Sequence, residues 1–255
     1  MNIQWDSETY AEKFDFVHQY GQGVLELLDL KEGMTVVDLG CGNGNLTDRL
    51  SRMGADVIGL DDSADMIRRA KKEYPALTFQ QANALTFRLE KPADAIFSNA
   101  VFHWIDGEKQ DALLKNVAAN LKPGGQLVTE FGGFGCGETI HAALQAEFEK
   151  RGHRYPRTFY FPTIGEYAPR VEAAGMTVTF AVLFDRWTEV KGEDGAADWI
   201  RMFVKLPFAG MDAQEKEEII ASAVDNVREK LYVGGKWHVD YVRIRLKAVK
   251  MVCFP

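Results

Sequence analysis

The sequence predicts an α/β protein with an open, doubly wound and mostly parallel sheet, and three observations lead to this fold class. Short β-branched segments alternate with amphipathic helical segments through the first 131 residues, and such alternation is typical of parallel strands joined by crossover helices. A glycine-rich turn, VVDLGCGNGN at 36–45, follows the first of these segments. After residue 131, two long strand-like segments are separated by helical ones, which indicates an antiparallel edge strand and a helical cap insertion.

Local patterns support each element in turn. The segment 46–54 has apolar residues at helical spacing and ends at Gly54. Ser63 is expected to cap a helix whose basic residues lie near its C-terminal end. Seven strands are predicted, at 35–40, 55–61, 77–82, 93–100, 121–131, 176–190 and 239–252. Helices are predicted at 46–54, 64–74, 108–121, 138–152, 163–175 and, approximately, at 194–204 and 212–231.

The whole chain, 1–255, is expected to form one domain. Its first part, 1–33, is interpreted as an N-terminal helical lid, and 34–131 as a ligand-binding core. Two helical cap insertions, 132–175 and 191–238, are expected around the C-terminal strands.

Composition excludes several classes of function. The net charge is −7, so no basic surface suggests a nucleic acid or an anionic membrane as partner. The three cysteines, at 41, 136 and 253, form no CxxC pair or spaced Cys/His set, which argues against a metal site and fits a reducing compartment. No apolar run approaches the roughly 20 residues of a membrane-spanning helix. A cytoplasmic protein is expected.

The glycines of the first turn, Gly40, Gly42 and Gly44, suggest that a ligand approaches the backbone closely. In an open α/β sheet, ligands bind at the carboxyl ends of the strands. A dinucleotide fingerprint would require a third glycine where Asn45 stands, so a pyrophosphate is disfavoured. Asp61 ends the second strand, 21 residues after Gly40, where a carboxylate can accept both hydroxyls of a ribose.

Five ordered motifs resemble the class I S-adenosylmethionine-dependent methyltransferases, whose sheet is Rossmann-like. They are VVDLGCGNG, VIGLDDSADMI, QQANAL, IFSNAVFHWI and LKPGGQLV. The pairing of SNA with HW is similar to the trans-aconitate methyltransferase group. The resemblance covers about residues 1–131 and continues more loosely beyond them. It implies S-adenosyl-L-methionine as cofactor, S-adenosyl-L-homocysteine as product, and a small-molecule methyl acceptor, for which a carboxylate is one candidate.

The resemblance also implies roles for the residues of the loop. The backbone of Gly40, Cys41 and Gly42 would pass under the methionine and ribose of the cofactor. Asp38 would help to order the loop, and Asp61 would bind the ribose hydroxyls.

Four further cofactor contacts are implied. Met66 would pack near the adenine, and Ala84 would offer a backbone N–H to the ring. Asn83 stands where the family usually has an aspartate facing the adenine amino group; its carbonyl can still accept a hydrogen bond. Asn99 would lie beside the methionine end.

On the acceptor side, His103 is the candidate base for a hydroxyl or amine acceptor. An orienting or packing role is the alternative, because a carboxylate acceptor needs no base. Trp104 is expected to be a hydrophobic wall, and Tyr10, His18 and Tyr20 are candidate lid residues.

The stretch KRGHRYPRTFYFP, 150–162, is interpreted in two ways. Its arginines could bind carboxylates, but a solvated surface is favoured for them. Its aromatic residues raise the alternative of a planar or apolar wall for the acceptor.

Two other functions compete with methyl transfer. One is a nucleotide-dependent oxidoreductase on a Rossmann sheet, against which the glycine spacing argues. The other is a non-catalytic, methyltransferase-like protein that binds the cofactor without turnover.

Overall fold

The computed structural model describes residues 22–252, and its strands form one sheet with the order β3-β2-β1-β4-β5-β8-β6. The short β7 pairs with the start of β8. The strands are β1 (Thr35–Leu39), β2 (Asp56–Asp61), β3 (Thr78–Gln81), β4 (Ala93–Asn99), β5 (Leu121–Gly132), β6 (Met176–Val190), β7 (Tyr232–Val233) and β8 (Lys236–Lys250).

Strands β1 to β5 are parallel to one another. β8 is antiparallel to both β5 and β6. The mostly parallel sheet with an antiparallel addition at one edge is therefore confirmed. In detail, β8 lies inside, between β5 and β6, and the two-residue β7 brings the predicted seven strands to eight. The strand order reverses between β1 and β4, which is where ligands bind in sheets of this kind.

The helices of the described residues are α1 (Gln22–Leu25), α2 (Asn45–Arg52), α3 (Ala64–Glu73), α4 (Gln110–Asn120), α5 (Glu138–Lys150), α6 (Ile164–Ala173), α7 (Gly195–Phe203) and α8 (Ala213–Leu231). Side-chain caps fix several of their starts. Ser63 Oγ accepts the backbone N–H of Met66 at the start of α3. Thr163 caps α6 by accepting the N–H of Glu166. These caps explain why α3 and α6 begin where they do.

Two hydrophobic cores meet along β8. Its first half, with Trp237 and Tyr241, belongs to what we call the cap core, which contains buried residues of α5, α7 and α8. Its second half, with Ile244 and Leu246, belongs to the sheet core beneath β1, β4 and β5. Arg243 lies at the changeover and is buried. One long strand thus joins the cap to the sheet.

One helix of the predicted cap insertions packs against the sheet and not in the cap core. Helix α6 falls within the predicted cap insertion 132–175, but its buried Tyr167 and Val171 lie in the sheet core. The division into one domain with a lid and two insertions stays a prediction. Of the N-terminal segment, α1 packs Val24 and Leu25 against Val36 of β1. The predicted lid residues Tyr10, His18 and Tyr20 lie outside the described residues.

Within residues 22–252, none of the helices combines the length and apolar character that a membrane crossing requires.

Candidate active site

In the turn after β1, glycine is required for different reasons at Gly40 and at Gly42. Gly40 has φ +80°, and a Cβ there would lie 2.1 Å from Cγ2 of Val101, so the packing of the next loop requires glycine. Gly42 has φ +55°, and within residues 22–252 a Cβ there would meet no atom within 4 Å beyond its own chain neighbours. Its missing side chain therefore leaves open space beside the backbone. Gly40 and Cys41 both donate their N–H groups to the carbonyl of Leu60 at 2.7 and 3.0 Å, which ties the turn to the end of β2.

Two buried carboxylates hold this turn in place. Asp61 accepts the N–H of Gly42 through Oδ2 at 3.0 Å and that of Ser63 through Oδ1 at 2.8 Å. Asp38 accepts the hydroxyl of Thr47, on α2, at 2.6 Å. Burial raises the pKa of Asp61. Burial also raises the pKa of Asp38, to about 7, against the opposing effect of the Thr47 hydrogen bond.

A cavity opens at the carboxyl ends of β1, β2 and β4, and we call it the glycine-loop cavity. The empty space of this cleft, including its solvent-open mouth, is about 620 Å³. Five predicted site residues line it, and they are Gly40, Asp61, Asn83, Ala84 and Trp104. The remaining predicted cofactor residues are not part of its lining, and they are Asp38, Cys41, Gly42, Met66 and Asn99.

The residues outside the lining have visible positions in the fold. The buried side chain of Cys41 packs with Ile67 and Phe79, so its backbone alone can face a ligand. Met66 is buried in the first turn of α3. Asn99 ends β4, opposite Glu130 of β5.

Asn83 uses its side chain within the loop. Its Oδ1 accepts the N–H of Leu85 at 2.9 Å, and its Nδ2 reaches Oδ2 of Asp62 at 3.5 Å. The carbonyl keeps one lone pair for a further donor.

A second cavity lies behind Trp104, and we call it the aromatic cavity. Most of its wall is aromatic, formed by Trp104, Phe159, Phe161, Trp199, Phe203 and Tyr241. Phe159 and Phe161 are nearly parallel, with ring centroids 5.2 Å apart. Trp104 lines both cavities, so they adjoin at this side chain.

Two cationic or titratable side chains face this aromatic wall, and the first is His103. It lies in a single helical turn after β4, and its Nδ1 accepts the N–H of Gly132 at 3.2 Å. Burial, and then the charge of Arg243, hold the pKa of His103 well below its usual range. A neutral imidazole whose Nδ1 accepts a hydrogen bond carries its proton on Nε2. His103 therefore presents a donor.

The second is Arg243 of β8. It is 9% exposed, its guanidinium lies 4.4 Å from the ring centroid of Tyr241, and its buried Nε has no hydrogen-bond partner. Within residues 22–252 no carboxylate forms an ion pair with it. Its neighbour Arg245, by contrast, is paired with Glu130 at 2.8 Å.

The loop between β4 and the aromatic cavity is strained. Ala100 has φ +61° and is the one non-glycine residue with positive φ between positions 22 and 252. Its N–H is held by the carbonyl of Glu130 at 2.7 Å. Such conformations persist where the surroundings impose them, and they cluster at functional sites.

Comparison with known proteins agrees with this geometry. A family model described as a methyltransferase domain matches residues 36–125. A trans-aconitate 2-methyltransferase of Methylobacterium nodulans is 30% identical over 85% of this chain and 86% of its own length. The chain belongs to the class I S-adenosylmethionine-dependent methyltransferases. A trans-aconitate 2-methyltransferase of Rhizobium etli is 28% identical to it, over 97% of this chain and 100% of its own.

The fold comparison is consistent with that family. The methyltransferase superposes on the YcgJ protein of Bacillus subtilis with a TM-score of 0.63 at 17% identity, covering 92% of this chain and 99% of the other. The matched methyltransferase domain and the curated relatives confirm the predicted enzyme class and the cofactor, S-adenosyl-L-methionine. Family membership also decides against the oxidoreductase alternative.

The residues of the glycine-loop cavity fit this cofactor. Each oxygen of Asp61 accepts one backbone N–H and keeps a lone pair for a hydroxyl. Leu60, Ala82 and Leu85 add apolar surface of the kind that covers a purine ring.

The three arginines of the segment 150–162 lie outside the aromatic cavity. Arg157 is paired with Glu138, and Arg151 with Glu147, while Arg154 is exposed. None of them lines the aromatic cavity. For these arginines, the geometry favours the interpretation as a solvated surface. Phe159 and Phe161 line the aromatic cavity, and their role as a wall for the acceptor stays a prediction.

Sequence reasoning missed several residues of the aromatic cavity, and these are Cys136, Trp199, Phe203, Tyr241 and Arg243. One signal was present. Arg243 lies in the apolar run VDYVRIRL, where a charge at an inward-facing position of a central strand is unusual.

Proposed function

We propose that this methyltransferase transfers a methyl group from S-adenosyl-L-methionine to a carboxylate of a small molecule. The acceptor would lie in the aromatic cavity and meet the cofactor at Trp104, which both cavities share. The names of the trans-aconitate 2-methyltransferases among its relatives support a carboxylate acceptor.

The observation that carries this proposal is the orientation of His103. Its Nδ1 is occupied by the N–H of Gly132, so Nε2 carries the proton and has no lone pair for a base. A hydroxyl or amine acceptor would need a base in this position. A carboxylate needs none, since it is already an anion, and it would accept the Nε2 proton as a hydrogen bond. His103 is thus assigned an orienting role.

Methyl transfer to a carboxylate requires no proton transfer. When bound, the cofactor supplies an electrophilic methyl on a sulfonium sulfur. An oxygen of the acceptor forms the new bond to the methyl carbon, and the carbon–sulfur bond breaks with its electron pair remaining on sulfur. The protein contributes position and the exclusion of water.

The cofactor residues expected from the family resemblance are retained as part of the proposal. Asp61 binds the ribose hydroxyls, and the backbone of Gly40, Cys41 and Gly42 lies against the ribose and methionine. Ala84 and the free lone pair of Asn83 would face the adenine.

Three further assignments complete this set. Met66 supports the adenine side from α3, Asn99 lies toward the methionine end, and Asp38 orders the loop through Thr47. The acidic net charge of −7 supports a small molecule rather than a nucleic acid as partner. The free thiols of Cys41 and Cys136 support the cytoplasm as location.

Turnover with cofactor labelled in its methyl group tests the proposal. We expect labelled methyl esters from a panel of carboxylic acids and no product from the matching alcohols and amides. Because no protein group has to lose a proton, kcat is expected to stay level between pH 6 and 9. A rise of kcat with pH that disappears in His103→Gln would instead identify His103 as a base. Binding of S-adenosylhomocysteine without turnover of any acceptor class would favour the non-catalytic alternative.

A further inference from the structure

The aromatic cavity contains one buried guanidinium and mostly apolar walls, which restricts the acceptor more narrowly than "a carboxylate". We propose that Arg243 binds the acceptor's carboxylate, and that the acceptor is a planar monocarboxylic acid with an aromatic or conjugated apolar body. This rests on the proposed function, because it names the substrate class of the same site.

The surroundings of Arg243 suit the binding of an anion. It is buried, and its Nε has no hydrogen-bond partner. A buried charge without a counter-ion is costly. Stacking on the ring of Tyr241 at 4.4 Å compensates part of that cost, but it leaves the N–H groups in the guanidinium plane unused. A carboxylate can bind a guanidinium through two parallel hydrogen bonds.

His103 supplies a second donor to the same space. It lines the cavity together with Arg243, so the two side chains border the same space. A neutral Nε2–H and a guanidinium together suit one carboxylate group.

Among residues 22–252, the rest of the wall offers no charged partner to a second or third carboxylate. The indole N–H of Trp199 donates to the hydroxyl of Tyr241 at 2.5 Å, so that N–H is already engaged. Burial raises the pKa of the Cys136 thiol, so it stays neutral. Arginines 151, 154 and 157 are engaged or exposed elsewhere. An additional carboxylate would therefore be buried against aromatic rings without a counter-ion, which is strongly unfavourable. This disfavours a tricarboxylate such as trans-aconitate.

The shape of the wall favours a flat body. Phe159 and Phe161 are stacked with an angle of 7° between their planes. Trp104 meets Phe159 edge-on at 4.8 Å. Flat apolar rings or conjugated chains pack on such a surface with aromatic contacts, while a bulky saturated body leaves gaps.

The test compares trans-cinnamate, cinnamide and trans-aconitate as acceptors and ligands. With the protein saturated in S-adenosylhomocysteine, we expect titration to show binding of trans-cinnamate and at least 10-fold weaker binding of both others. In turnover, kcat/KM for trans-cinnamate should exceed that for trans-aconitate by at least 10-fold. Stronger binding or faster methylation of trans-aconitate would overturn the inference and leave the proposed function intact. Failure to methylate any carboxylic acid, with trans-cinnamate still bound, would overturn the proposed function alone.

Arg243→Met and its matched control Arg245→Met separate acceptor binding from stability. Replacing an unpaired buried charge by an apolar side chain of similar length is expected to leave Tm equal or higher. The same variant should weaken trans-cinnamate binding by about 100-fold, as loss of a charged hydrogen-bonding partner does, with S-adenosylhomocysteine affinity unchanged. Arg245→Met should lower Tm, since it breaks the pair with Glu130, and leave trans-cinnamate affinity within about twofold. Unchanged trans-cinnamate affinity in Arg243→Met would overturn the assignment.

Discussion

Replacing Gly40 or Gly42 by alanine separates the two uses of glycine in the turn after β1. Both residues have positive φ, so alanine costs about 1–2 kcal/mol of backbone strain at either position. At Gly40 the new Cβ would also lie 2.1 Å from Val101. Relief of such an overlap by movement of the next loop costs about 1–3 kcal/mol. We therefore expect Gly40→Ala to lower the free energy of unfolding by about 2–5 kcal/mol, and Gly42→Ala by about 1–2 kcal/mol.

Ligand binding should rank the two variants differently. Relative to the stability that each variant loses, Gly42→Ala should lose more affinity for the cofactor product than Gly40→Ala. Apart from Gly42 and its two chain neighbours, no atom of residues 22–252 lies within 4 Å of the position that an added Cβ would take at Gly42, and the proposed contact between cofactor and backbone fills that space. We expect Gly42→Ala to weaken S-adenosylhomocysteine binding by at least 10-fold, although it should lose less stability than Gly40→Ala.

Urea unfolding and isothermal titration measure the two effects separately. The reasoning is refuted if the unfolding free energies of the two variants agree within about 0.5 kcal/mol. It is refuted for the cofactor contact if Gly42→Ala binds S-adenosylhomocysteine as tightly as the wild type.

Three further predictions concern buried carboxylates. Asp61→Asn should weaken S-adenosylhomocysteine binding by on the order of 100-fold, because charged hydrogen bonds contribute about 1.5–3 kcal/mol each. Titration measures this affinity, and an equal loss of affinity in Asp62→Asn would contradict a specific role for Asp61. The pKa of Asp38 is raised to about 7, so its contribution to stability is complete below about pH 4 and is lost as the pH rises to about 7. Urea unfolding should show wild type losing on the order of 4 kcal/mol relative to Asp38→Asn between pH 4 and 8, and parallel curves would contradict this. Glu130→Gln should cost about 3–5 kcal/mol because it removes the buried carboxylate that pairs with the half-buried Arg186 and Arg245, whereas the exposed Glu217→Gln should cost under about 1 kcal/mol. Similar melting temperatures for the two variants would argue against this.

The parallel half of the fold could be predicted because its signals are local. Ser63 caps a helix by accepting an N–H three residues away, and a pattern of that length is visible in sequence. The predicted strand 176–190 has the bounds of β6 (Met176–Val190). Where the antiparallel strands lie relative to each other depends on pairing between distant segments, as between β6 and β8, and no local pattern records it.

The same contrast divides the site. Asp61 and Gly40 were recognisable since the turn, its glycines and the strand-end acid lie within 21 residues of one another. Arg243 was visible only as a charge in an apolar run, because alternation along β8 places it on the same face as the buried Tyr241 and as Arg245 and Lys247, and so leaves its orientation undecided. Its burial arises where β8 passes from the cap core to the sheet core. That changeover is a property of how distant helices pack, and it determines which arginine faces the cavity.

The two cavities are built from separate stretches of the chain, and this bears on how the specificity of such an enzyme can change. The lining of the glycine-loop cavity lies between positions 39 and 109. Beyond Trp104, the aromatic cavity is lined mainly by residues from 136 to 243. Substitutions in the second stretch can redirect methylation to new acceptors while the methyl donor is held as before. Trp104 belongs to both linings, so it is the position at which a new acceptor preference would also alter the donor, and a library for changing the acceptor should leave it untouched.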